Sequence, residues 1–106
     1  MKAMFLAAAT IIVGSGVAAQ DADIEAGGAY AEQVCSACHA VLAKETYSPL
    51  PEATSFQQVA DTPGMTELAL TVFLQSSHPT MPNIILEQDD MRNVVAYIRS
   101  LKPPSE

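Results

Sequence analysis

Residues 35–39 read Cys35-Ser36-Ala37-Cys38-His39, and the chain holds no other cysteine. Three chemistries use a C-x-x-C spacing. A dithiol redox pair of the thioredoxin type needs strand–helix–strand surroundings, and no alternating strand pattern precedes Cys35. A structural zinc site needs four ligands, and only His78 remains as a fourth Cys or His candidate. The C-x-x-C-H order fits covalent haem attachment. Two thiolates add to the two vinyl groups of the porphyrin, and the adjacent imidazole is placed beneath the iron. On this reading Cys35 and Cys38 form the haem c thioethers and His39 is an axial iron ligand.

The start of the chain says where such a protein works. Lys2 is the only charge before Asp21, residues 3–13 are apolar except for Thr10, and Gly14-Ser15-Gly16 breaks the run. Val17-Ala18-Ala19 then offers a small-residue cleavage site before Gln20. A charged start, a short apolar run and a small-residue end make an export signal. The run is too short to cross a bilayer, which takes about 20 apolar residues. Residues 1–19 are expected to be a cleaved signal peptide and residues 20–106 the mature domain, exported to a bacterial periplasm with no stable membrane insertion. The alternative is an uncleaved N-terminal anchor.

With 106 residues in all, the chain is too small for a multidomain enzyme. Twelve acidic against five basic residues give a formal net charge of −7, the wrong sign for nucleic acid. So short a chain builds a marginal core and needs a staple, a metal or a cofactor.

The remainder predicts helices. Residues 22–34 are Ala-rich and free of Pro, favouring a helix into the attachment site. Gly27 and Ala31, eight and four residues before Cys35, share one helical face with it, and two small residues there let another helix cross closely. Ser48-Pro49-Leu50-Pro51 blocks a helix. A short helical piece follows at 56–60, and a longer helix at 66–75 has Leu68, Leu70, Val72, Phe73 and Leu74 over a wide apolar face. The last helix, at 87–101, carries the stripe Met91, Val94, Val95, Ile98 and Leu101 at i, i+3, i+4, i+7 spacing. The expected fold class is all-α.

An electron-transfer haem closes its second axial position with a side chain. Met65, Met81, Met91 and His78 are the candidates. Met91 belongs to the core stripe, and nothing local fixes Met65. Met81 lies in the loop His78-Pro79-Thr80-Met81-Pro82-Asn83, whose prolines restrict its freedom and favour Met81 as the ligand. His78, three residues away, competes for the same face.

With these residues in view, the sequence resembles the class I monohaem cytochromes c, in particular the small soluble bacterial ones. The resemblance lies in residues 27–41 (GGAYAEQVCSACHAV), Ser48-Pro49, Thr80-Met81-Pro82-Asn83 and residues 94–101 (VVAYIRSL). It implies three main helices and short helical segments wrapped around one covalently attached haem. It implies that the first and last helices cross near Gly27 and Tyr97. It also implies that the Pro49 carbonyl accepts a hydrogen bond from the free ring nitrogen of His39. The sequence departs from the family in having Ala31 where many members carry an aromatic, and no Trp to hold a propionate.

The function implied is one-electron transfer between redox protein partners, with no enzymatic step. A dedicated cytochrome subunit of a periplasmic dehydrogenase is the alternative, and an open-site ligand-binding haem sensor is a further one. Beyond residue 20 the only cations are Lys44, Arg92, Arg99 and Lys102, so the family's docking by a ring of lysines is not available. Either the partner presents a basic face, or docking uses apolar surface near Val41, Met81-Pro82 and Ile84.

Overall fold

The structure, a computed structural model, describes residues 3–4, 7–11, 21–76, 81 and 86–103. The cleavage site at residues 17–20, and His78, Pro79, Thr80, Pro82, Asn83 and Ile84, lie outside the described residues. Among the described residues there are helices and no strands: α1 Ile24–Tyr30, a π-turn Ala31–Cys35, α2 Phe56–Asp61, α3 Glu67–Gln75 and α4 Gln88–Ser100. The all-α expectation is met.

Local chemistry sets the helix starts. The Asp23, Ser55 and Thr66 side chains accept from the backbone N–H groups of Ala26, Gln58 and Ala69 at 3.0, 3.2 and 3.1 Å, satisfying donors that a helix start leaves open. In α4 the caps give way to charge. Asp89 and Asp90 sit in its first turn and Arg99 in its last, each complementing the helix dipole.

The core is small. Ala31, Val41, Phe56, Ala60, Leu70, Val94, Val95 and Ile98 are its buried members, with Tyr30, Cys35, Met65, Leu74, Tyr97 and Leu101 packed around them. Three residues of the expected α4 stripe are buried, while Met91 and Leu101 at its ends are half-buried. In α3 only Leu70 is buried, and Leu68, Val72 and Phe73 are 73%, 51% and 53% exposed. The apolar face read from the sequence is wider than the core it meets.

α1 lies across α4, as expected. A Cβ added at Gly27 would collide with the backbone carbonyl of Asn93 and stand 3.0 Å from the Tyr97 Cβ. Only glycine allows this approach. The Asp23 N–H donates to Asn93 Oδ1 at 2.9 Å, tying the start of α1 to the same turn.

The helix into the attachment site ends in a π-turn. The Ser36 N–H reaches back to the Ala31 carbonyl at 3.0 Å, an i→i+5 bond. A π-turn holds about one residue more than an α-turn, and positions four apart still fall on nearly the same side of it. Gly27 and Ala31 are buried, and the half-buried Cys35 packs against the same core while also lining the cleft beside it.

Tyr97 ties α4 to the chain after His39. Its hydroxyl donates to the Val41 carbonyl at 2.6 Å. Burial, then the nearby Glu32 and Glu45 carboxylates, push its ionisation above the ordinary tyrosine value of 10.0. Above about pH 10 the unfolded chain releases this proton while the folded one keeps it, so stability falls as pH rises toward the folded value. Tyr97→Phe is expected to cost about 1 kcal/mol at neutral pH and to flatten the alkaline decline. Urea unfolding between pH 8 and 11 checks both, and an unchanged alkaline slope would contradict the assignment.

Candidate functional site

Beside the core lies a cleft of about 260 Å³ with largely apolar walls. Cys35 enters from the π-turn and His39 from the segment behind it. Thr54, Phe56, Val59 and Thr62 come from α2 and its flanks, Met65, Leu70, Phe73 and Leu74 from α3 and the turn before it, Ile98 from α4, and Met81 from its loop. The structure thus brings Cys35, His39 and Met81 to one cavity.

The turn after Cys35 orders the attachment segment. The N–H groups of Cys38 and His39 both donate to the Cys35 carbonyl, at 3.2 and 2.9 Å. Cys35 and Cys38 are not joined to each other by a disulfide. Cys38 is half-buried next to the cleft without lining it. Burial pushes the unmodified Cys35 thiol above its ordinary value.

His39 is held in one orientation. Its Nδ1 lies 2.6 Å from the Thr54 carbonyl, and a carbonyl can only accept, so Nδ1 carries the proton. Nε2 is then left with the lone pair that a metal takes. The Phe56 ring packs against it, centroids 5.4 Å apart and planes tilted by 47°. Here the structure corrects the expectation for Pro49, because the carbonyl on the imidazole is that of Thr54. The reason is the path of the loop. Leu50 N–H pairs with the Cys38 carbonyl at 3.1 Å, the chain turns through Ala53, and Phe56 N–H pairs with the Ala40 carbonyl at 2.9 Å. Thr54, next to that second pairing, reaches the ring, while Pro49 lies in a groove on the outer side.

The candidates for the second axial ligand separate. Met65 lines the cleft but is also packed on the core, and Met91 does not line it. Met81 lines the cleft from its loop and is not among the residues packed on the core. His78 lies outside the described residues.

Nothing in the sequence marks Thr54, Phe56, Val59, Thr62 or Phe73 as cleft residues. Their common feature is topological, since each flanks or belongs to α2 or α3, and no spacing in the chain marks it. The donor set suits a haem: a flat apolar ring finds apolar walls, an imidazole with a free nitrogen, a thioether, and a thiol at the margin with a second beside it. Among the described residues no three His, Cys, Asp or Glu side chains cluster as a metal cage.

Comparison with known proteins agrees. The sequence model of the Cytochrome c family matches residues 24–102. A cytochrome c-552 of Bradyrhizobium diazoefficiens is 32% identical over 92 residues, covering 87% of this chain and 88% of the relative. No solved structure gives a significant match. The chain belongs to the class I cytochromes c, an electron carrier built on covalently bound haem c.

Proposed function

We propose that Cys35 and Cys38 hold the haem through thioethers, that His39 and Met81 are its axial ligands, and that the protein is a periplasmic one-electron carrier freed from a signal at residues 1–19. The observation that carries this reading is the convergence of Cys35, a proton-fixed His39 and Met81 on one apolar cleft. The bound haem supplies the redox chemistry by cycling its iron between ferric and ferrous states.

The chain's residues set the conditions for that chemistry. The Thr54 carbonyl orients His39 and raises the basicity of Nε2. Met81 brings a neutral, soft sulfur, which favours the ferrous state relative to a second imidazole. Val59, Leu70, Leu74 and Ile98 keep water from the cleft, and the helices around it limit rearrangement during transfer. Among the described residues no helix is long and apolar enough to cross a membrane.

Met81→Ala tests the ligand. The ferric sulfur-to-iron charge-transfer band is expected to vanish, and the reduced variant to bind carbon monoxide rapidly at neutral pH. Met65→Ala is expected to keep the band. The opposite pattern would move the ligand to Met65, and rapid carbon monoxide binding by the unmodified protein would replace the carrier with an open-site haem protein.

A further inference from the structure

On the outer side of His39, away from the cleft, runs a groove of about 310 Å³. Two pairings build it: Leu50 N–H with the Cys38 carbonyl at 3.1 Å, and Ala40 N–H with Ser48 Oγ at 3.0 Å. They lay residues 47–50 alongside 38–41. Val41, Leu42, Tyr47 and Pro49 line the groove together with the carboxylate-bearing residues Glu32 and Glu45. Leu42 is 44% exposed and Tyr47 94% exposed, so the apolar part is open to a partner. Lys44, the one Lys or Arg between residues 32 and 50, does not line it.

We propose that this groove is the docking site of the redox partner, and that the partner meets it with a basic rim around an apolar centre. The inference rests on the haem reading above, which places iron on the far side of the same imidazole. A partner seated here would rest against the same His39 side chain that this reading makes an axial ligand.

Charge selects this face over the others. Glu32 and Glu45 both act on the Tyr97 phenol, so their field at the groove has one sign. On α3 the side chains of Leu68, Val72 and Phe73 are also exposed, and the Glu67 of that helix pairs with Arg99 at 3.6 Å. At the start of α4, Asp89 pairs with Arg92 at 3.3 Å. At the groove the exposed Leu42 and Tyr47 stand beside two carboxylates, Glu32 and Glu45. Charge then steers the encounter and the apolar floor holds it.

The test uses the ferrous holoprotein labelled with ¹⁵N and titrated with a short peptide of alternating lysine and phenylalanine. Amide shifts are expected to centre on residues 32–50. Glu32→Gln with Glu45→Gln is expected to weaken binding roughly fivefold or more at low salt and to remove most of its salt dependence. Tyr47→Ser is expected to weaken binding while keeping the salt dependence. Shifts centred on residues 67–73, shifts spread evenly over all acidic residues, or unchanged affinity in the double variant would each overturn the proposal. The visible spectrum of the same samples reads the His39–Met81 ligation separately, so failure of docking and failure of the ligand assignment stay distinguishable.

Discussion

Gly27→Ala is expected to lower the thermal midpoint of the holoprotein by roughly 12 to 24 °C, from a loss of about 3 kcal/mol in a domain of this size. The sign is what makes the result informative. In the middle of an exposed helix the same change stabilises by about 1 kcal/mol, because alanine is the better helix former. Here the new methyl would collide with the Asn93 carbonyl, a backbone atom that cannot turn aside. The helices would have to part, and with them the bond from the Asp23 N–H to Asn93 Oδ1. Gly28→Ala is the control one residue along. Its methyl would stand 3.0 Å from the Tyr97 Cε2, the far part of a ring that can shift. That variant is expected to change stability by no more than ~1 kcal/mol, with helix propensity offsetting the contact. Equal effects at the two positions would contradict the close crossing of α1 on α4.

The second large effect is expected from the cysteines. With Cys35→Ala and Cys38→Ala together, purified protein run on a denaturing gel should show no haem stain, and the yield of folded coloured protein should fall roughly tenfold or more. A haem bound only through its axial ligands dissociates, and the stabilisation it confers then depends on its free concentration. The core of this chain is small, and Phe73 lines the cleft while half exposed. Removing the cofactor from such a site removes a wall of the fold. The single variants should each retain one thioether and an intermediate amount of stain. Full stain in the double variant would place the attachment elsewhere.

Much of this was legible from short segments. Asp23, Ser55 and Thr66 start their helices through bonds spanning three residues, so the boundaries of α1, α2 and α3 follow from local sequence. The attachment motif is local too, five residues long and tied by bonds to the Cys35 carbonyl. What escaped the sequence depends on longer paths. The π-turn leaves no mark in composition, because one extra residue in a hydrogen-bonded ring needs no special side chain. Thr54 displaced Pro49 as the partner of His39 because every residue has a carbonyl, and only the turn through Leu50 and Ala53 decides which one arrives. The exposure of Leu68 and Val72 was hidden for a similar reason. An apolar side chain announces what it can bury against and says nothing about whether the fold brings anything to that side.

The mass of the purified chain after acid denaturation bears most directly on the central claim. Expression alongside a working haem-attachment apparatus is expected to give the polypeptide plus one haem, with the added mass confined, after proteolysis, to the peptide that contains Cys35 and Cys38. A polypeptide of unmodified mass, its haem lost to acidified solvent, would contradict it.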